Sequence, residues 1–360
     1  MQNIIVIGAG VIGASIAYNL ALKGFRVTVF EQNLPASGAT SKTFAWLNAN
    51  FAETPEYFRL RKAGLAEYET LSERFGTEIG LCRGGSLWWE EEGDALDSHY
   101  RGLIGFGYQA SILNAAEFSK LEPHVANPPD RCIHVPEELA VNPLLLTGTL
   151  LNAAANLGAE ILVGCAVTGL IRENDRFTGV DTTIGKKSTD RIVVASGAWT
   201  EPLLASAGLK LPMDNKTGLI VHTNPVEPVL NHLVLSPEIH FRQEKDGRIV
   251  VGEIFSGGLL DDNGSGADPV NLAGQIVENL RKRLPGVENL SAARIMIGRR
   301  PVPKDGYPAI GAPDGGDGLY IATMHSGMTL GPLTGRLVAD EIAGTDHSDL
   351  LAPYRPIRFS

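Results

Sequence analysis

Residues Ile4 to Glu31 constrain this chain more than any other stretch, because they spell out one phosphate-cradling βαβ unit in full. Ile4-Ile5-Val6-Ile7 is a short apolar run of the kind that forms a buried parallel strand. Gly8-Ala9-Gly10-Val11-Ile12-Gly13 follows directly. In this G-x-G-x-x-G the first Gly permits a tight turn, the second lets the backbone approach a pyrophosphate, and the third lets a helix pack on the strand. The helix is predicted from about Val11 to Lys23, with its first-turn N–H groups and positive dipole end aimed at the phosphates. Gly24 closes it and Arg26-Val27-Thr28-Val29-Phe30 supplies a second strand. At that strand's end Glu31 can accept hydrogen bonds from both ribose hydroxyls, and its charge repels a 2′-phosphate, which argues against NADP. Glycine-rich turns are common, but strand, glycines, helix, strand and acid in this order point to dinucleotide binding. The pattern suits NAD and FAD equally.

Bulk properties exclude other classes. With 31 basic against 41 acidic residues and a formal charge of -10, the chain carries no nucleic-acid footprint, and its longest basic run, Arg281-Lys282-Arg283, reads as a helix C-terminus. Cys82, Cys132 and Cys165 are far apart with no C-x-x-C spacing, which suggests neither a zinc site nor a disulfide framework and fits a reducing cytoplasm. No run approaches the ~18 apolar residues of a membrane span, and Ile4 to Gly13 has no basic flank or cleavage site. The expectation is a cytoplasmic protein without a transmembrane segment.

The loop Gln32-Asn33-Leu34-Pro35-Ala36-Ser37-Gly38-Ala39-Thr40-Ser41-Lys42-Thr43 is rich in hydroxyls and backbone amides that can wrap a diphosphate. An amphipathic helix from Pro55 to Phe75 reads as structural. Leu81 to Trp89 is strand-like, so Trp88 and Trp89 point to opposite faces and core packing is their expected role. Between 91 and 135 only a helix near Ala115 to Lys120 and a loop at Pro123 to Pro129 are placed. Asn142-Pro143 opens a helix from about Leu144 to Leu157, and strands follow to Arg191-Ile192-Val193-Val194-Ala195-Ser196-Gly197-Ala198-Trp199. From 213 to 297 a second zone of β-like segments contains Asp246-Gly247, read as a two-residue hairpin turn. The acids of Asp261 to Asp268 lack the spacing of a calcium loop, so no metal is expected. Leu272 to Leu284 is an amphipathic helix.

The C-terminal segment carries the second decisive pattern: Gly298-Arg299-Arg300-Pro301, Asp305-Gly306-Tyr307-Pro308-Ala309-Ile310-Gly311, the strand Leu319 to Thr323, the turn Met324-His325-Ser326-Gly327-Met328-Thr329-Leu330-Gly331-Pro332, and a helix Leu333 to Ile342. This is similar to the G-x-R-P…D-G-x-P-x-I-G and G-H-S-G…P-x-T-G-R signature of the FAD-dependent amine and amino-acid oxidoreductases of the D-amino-acid oxidase superfamily. The glycine oxidases, sarcosine oxidases and D-amino-acid dehydrogenases are the relatives it resembles. Together with the N-terminal unit the resemblance brackets the whole chain. Two positions depart from it, since Met324 replaces a frequent Gly and Thr329 a frequent small residue.

The resemblance implies an α/β fold: a Rossmann-like FAD domain with a parallel sheet (1–80, 142–212 and 298–360) and an interleaved α+β substrate domain with an antiparallel sheet (81–141 and 213–297). It implies noncovalent FAD, because Arg294-Ile295-Met296-Ile297 offers no cysteine for a covalent link. Cofactor contacts would come from Gly8, Gly10, Val11, Ile12, Gly13, Glu31, Gln32, Ser41, Lys42 and Thr43. Val167, Ala195, Gly197 and Trp199 would join them, with Ser326, Gly327, Met328, Thr329 and Leu330 at the last turn. The amides of Met328 to Leu330 would face flavin N1 and O2. Arg300, with Arg299 as the alternative, would clamp a substrate carboxylate and also touch the cofactor; His325 and His240 complete the catalytic candidates, Phe241 being exposed instead if the register slips by one. The implied reaction oxidises the C–N bond of a small amino acid or N-substituted amino acid by hydride transfer to FAD, giving an imine that hydrolyses to a 2-oxo acid. O2, a quinone or a carrier protein could take the electrons, in a homo-oligomer or a hetero-complex. An FAD-holding electron-transfer subunit of a larger dehydrogenase is the rival reading.

Overall fold

The computed structural model describes residues 2–253, 266 and 268–360. Two large sheets organise them. The first has six strands in the order Ala309–Gly311, Leu319–Thr323, Arg191–Val194, Asn3–Ile7, Arg26–Glu31 and Glu160–Val163. All neighbours are parallel except the edge pair Ala309–Gly311 with Leu319–Thr323. Ile5 lies between Thr28 and Ile192, so the wholly apolar first strand is central, as a strand covered by helices on both faces must be. The helix Val11–Leu22 follows it. A Cβ on Gly13 would lie 1.9 Å from the Gly8 carbonyl oxygen, and one on Gly8, whose φ is +104°, would lie 2.5 Å from Ala195 O. Turn, helix and third strand are therefore in backbone contact, which only glycine permits.

The second sheet has eight strands and is antiparallel apart from one parallel pairing, Leu233–Leu235 with Ser86–Trp88. Its strand Ala292–Arg300 runs past the boundary expected at residue 298. Strands Lys216–Pro225, Arg248–Gly252 and His240–Gln243 lie beyond it in that order. Ile220 pairs with Gly252, Gly252 with His240, and Gly218 with Gly298. Paired residues and residues two apart share a face, so His240, Ile220 and Arg300 project together, with glycines between them. The opposite face carries the buried Phe241, Val251, Leu219 and Val221 and is covered by the helix Pro269–Arg283.

Several local expectations need correction. Glu244 N donates to Arg248 O at 2.8 Å, so three residues, Lys245-Asp246-Gly247, span the hairpin rather than two; Gly247 takes φ +85° at the bulge such a loop requires. The last helix starts at Gly327, not Leu333, and Pro332 lies inside it. The helix tolerates this because the Met328 carbonyl, which loses its N–H partner at Pro332, accepts the buried Tyr68 hydroxyl instead. Within 91–135 the helix Gly93–Gly105 and the strands Ser111–Asn114 and Arg131–Val135 had no clear signal. That helix has no side-chain N-cap and buries only Leu96 and Leu103, with His99 and Tyr100 half-buried between them, so its inward stripe is partly polar. The stretch Asp261 to Asp268 lies outside the described residues except for Gly266 and Asp268. Among the described residues no helix is long and apolar enough to cross a membrane.

Candidate functional site

A single cavity of about 1150 Å³ runs from the glycine turn to the antiparallel sheet. It exceeds the roughly 300–1,000 Å³ of ordinary small-molecule pockets, which leaves room for a dinucleotide and a second small molecule. At one end Gly8, Gly10, Val11 and Ile12 line it, with Glu31, Gln32, Lys42 and Thr43 beside them. Val167, Ala195, Gly197 and Trp199 form the adjoining wall, and Ser326 to Thr329 the floor. Gly13 does not reach the cavity and acts through packing. Ser41 stays outside as well, its amide closing the loop onto Ala36 O at 3.0 Å.

The glycine turn is held open by side chains. Glu31 accepts the Ala9 amide on Oε2 and the Asn33 amide on Oε1, both at 2.9 Å. Thr40, a loop residue not singled out from the sequence, accepts the Val11 amide at 3.1 Å. A Cβ on Gly10 would meet that Thr40 hydroxyl at 3.0 Å, so the backbone there is bare toward the cavity. This is the surface a diphosphate needs.

At the C-terminal helix the amide expectation narrows. Leu330 N donates to Ser326 O at 3.0 Å and Gly327 N to His325 O at 2.8 Å, and Leu330 is buried in the core. Leu330 is therefore withdrawn as an amide donor; Met328 and Thr329 remain as the first-turn N–H groups lining the cavity. The turn is locked from below by Arg61, which sequence reading passed over. Its Nε donates to Asn48 O at 3.1 Å, its Nη1 to Ser326 Oγ at 3.1 Å and its Nη2 to Asn48 Oδ1. Tyr57 Oη lies 3.1 Å from the same Ser326 Oγ. The signal was present: Arg61 stands four residues after Tyr57 and four before Leu65, on the apolar stripe of the helix Pro55–Phe75, where an unpaired charge would be expensive.

At the other end Arg300 is half-buried in the cavity wall. Its side chain lies across the neighbouring strand, where a Cβ on Gly218 would come within 2.8 Å of Nε. Burial lowers its pKa from the ordinary guanidinium value, and no carboxylate among the described residues offsets that shift. A desolvated guanidinium without a counterion is poised for an anionic ligand. His325 is exposed where it opens onto the cavity, with protein atoms crowding its remaining sides. Burial first, then repulsion from Arg300, Arg61 and Lys216, pushes its pKa down to about 4, so the imidazole is neutral at physiological pH.

His240 also lines the cavity, whereas Phe241 is in the core, so the register that exposes the histidine is the one adopted. His240 Nε2 lies 2.6 Å from Glu90 Oε1. The contact is too bent for a hydrogen bond, yet neither atom has another partner among the described residues. Trp88 and Trp89 are both buried and neither lines the cavity. Behind the wall, Trp46 Nε1 and the Ser86 hydroxyl donate to Glu138 Oε2 at 2.7 and 2.6 Å, and Tyr108 Oη to Oε1 at 2.9 Å. Burial pushes the Glu138 carboxyl up to about 7. Among the described residues no His, Cys, Asp and Glu group could hold a metal ion.

Comparison with known proteins shows the family and the fold. Residues 3–341 match the family model described as FAD dependent oxidoreductase. The chain is 31% identical to a glycine oxidase of Geobacillus kaustophilus (strain HTA426), over 98% of this chain and 96% of that protein. The crystal structure of glycine oxidase from Geobacillus kaustophilus superposes with a TM-score of 0.87 at 28% identity, covering 99% of both chains. That of an iminodiacetate oxidase from Chelativorans sp. BNC1 gives 0.85 at 28% identity, covering 98% of both.

Proposed function

The chain belongs to the FAD dependent oxidoreductase family, and from that premise we propose that it oxidises the C–N bond of a small amino acid or N-substituted amino acid, giving an imine that water hydrolyses to a 2-oxo acid. FAD, the cofactor of the family, would supply the hydride acceptor when bound. The observation that carries the reading is Arg300: a half-buried guanidinium with no acidic partner among the described residues, in the same cavity as the dinucleotide cradle.

The chain's own residues bind and orient. The turn Gly8 to Gly13 and the amide end of its helix would hold the diphosphate, and Glu31 would take the ribose hydroxyls. The Met328 and Thr329 amides would present positive charge to the polar edge of the flavin. Arg300 forks onto the substrate carboxylate and so fixes Cα. Neutral His325 adds no charge to that region. None of the three cysteines lines the cavity, which supports noncovalent binding.

Purified protein should be yellow and should release its FAD on denaturation. Turnover assays with glycine, sarcosine, D- and L-amino acids and simple amines, under O2 and then under an artificial electron acceptor, test the reaction and identify the acceptor class. Flavin that stays oxidised with every amino acid, in both conditions, would sink the proposal in favour of the electron-transfer subunit.

Glu31 gives a separate test of the cradle. Because its carboxylate already holds two turn amides, Glu31→Ala removes both the ribose acceptor and the turn's support. FAD affinity should fall roughly ten- to a hundredfold, the loss of one or two charge-assisted hydrogen bonds. Unchanged affinity in an FAD titration would remove Glu31 from the site.

A further inference from the structure

A second recognition element faces the same cavity, at a distance that assigns it to a different part of the substrate. The Arg300 guanidinium lies over Gly218. His240 stands two residues along the strand from Gly218, at the level of Ile220, and two strands across through Gly252. At about 4.8 Å per strand and 3.4 Å per residue the two backbone positions are roughly 12 Å apart. An amino acid whose carboxylate is gripped by Arg300 keeps its α-amine about 2.5 Å from its own carboxyl carbon, beside Arg300 and out of reach of His240. A side chain about three or four bonds longer can span the gap.

What waits there is the Glu90–His240 pair, with side chains only 12% and 16% exposed. Glu90 Oε1 and His240 Nε2 are buried against each other, which leaves Glu90 Oε2 as the accessible oxygen on the cavity side, without a hydrogen-bond partner among the described residues. With the carboxylate ionised and the imidazole neutral the pair is negative; with one proton more it is neutral. It therefore offers no net positive charge to a second carboxylate. Glu253, next to the Gly252 that pairs with His240, lines the cavity as well, and Arg242, on the same strand face as His240, is already paired with Glu244, so the neighbouring charge favours a cation. A carboxylate that has lost most of its water is best satisfied by a charged N–H donor.

We infer that the Glu90–His240 pair reads the far end of the substrate and that the preferred substrate is an amino acid whose side chain ends in a second cationic N–H donor, an ammonium or guanidinium group. The inference rests on the carboxylate clamp of the proposed function and adds the substrate class. A neutral side chain of equal length leaves Glu90 Oε2 without a donor, and an acidic one meets like charge, which is how a polar pocket rejects an analogue lacking the group it is built for.

The test uses the full-length, FAD-loaded enzyme with both enantiomers of alanine, norvaline, 2,4-diaminobutyrate, ornithine, lysine and glutamate. The best basic amino acid should exceed the neutral one of matching length by about thirtyfold or more in kcat/KM, chiefly through KM. Glu90→Gln should cut that ratio to below about fivefold. Glu90→Asp, which keeps the charge but shortens its reach, should move the optimum to a longer side chain; it also serves if Glu90→Gln does not load FAD. A ratio near one in the wild-type enzyme, a preference for glutamate, or a ratio untouched by both substitutions would overturn the inference while neutral amino acids still turn over. If no amino acid of any kind reduces the flavin, the proposed function falls first and takes this inference with it.

Discussion

Arg300→Ala should lower kcat/KM for an amino-acid substrate by roughly thirty- to a thousandfold while FAD stays bound. A charge-assisted bidentate contact to a carboxylate is worth on the order of 2–4 kcal/mol once the pair is out of water. Arg300 meets the structural condition for the upper part of that range. It is half-buried and no carboxylate among the described residues shares its charge, so the substrate's carboxylate would be its first full counterion. Arg300→Lys should recover only part of the loss, because a point charge replaces a planar fork and the shorter head group does not lie across Gly218 in the same way. Amines without a carboxylate should be nearly indifferent to either change. An equal penalty for carboxylate and non-carboxylate substrates, with FAD content intact, would show that Arg300 is not the clamp. Arg299, the alternative, is engaged in an interaction of its own, which leaves Arg300 the freer of the two.

The parts of this architecture that could be read from the sequence are those in which a local rule and the global fold ask for the same residues. Ile4 to Glu31 is legible because a buried parallel strand, a tight turn and a close helix each require a particular residue type at a fixed offset. The cavity-facing row of the antiparallel sheet was legible only in part. Arg300 and His240 could be nominated, but that they share a face depends on cross-strand register, Gly252 with both Ile220 and His240, which no local pattern encodes. Glu90 was missed for the same reason: it follows the strand Ser86–Trp88, far from His240 in sequence, and becomes its neighbour because Leu235 pairs with both Trp88 and His240. The early start of the last helix was missed because Pro332 reads as a helix beginning, and only the tertiary contact from Tyr68 makes it acceptable inside one.

Gly13→Ala should leave a folded but largely FAD-free protein, with occupancy below about a tenth of wild type and a lowered Tm. The added Cβ would lie 1.9 Å from the Gly8 carbonyl oxygen, with Gly8 C at 2.9 Å. These are backbone atoms of the glycine turn itself, so no side chain can rotate away, and relief requires the helix Val11–Leu22 to move by about 1 Å or more relative to the strand Asn3–Ile7 to restore ordinary contact. Overpacking of this kind costs about 1–3 kcal/mol. The same shift carries the Val11 amide away from Thr40 and the helix N-terminus away from the phosphate position, so the cofactor loses several aligned donors at once. Glycine in a helix is not the issue in itself. Gly148, within Pro143–Asn156, has nothing within 4 Å of its added Cβ, and Gly148→Ala should be neutral or stabilising by up to about 1 kcal/mol. Circular dichroism, FAD titration and thermal denaturation of the two variants side by side separate the effects. If Gly13→Ala matches Gly148→Ala in Tm and FAD affinity, the first helix does not depend on backbone contact with the glycine turn, and the cradle is looser than its geometry implies.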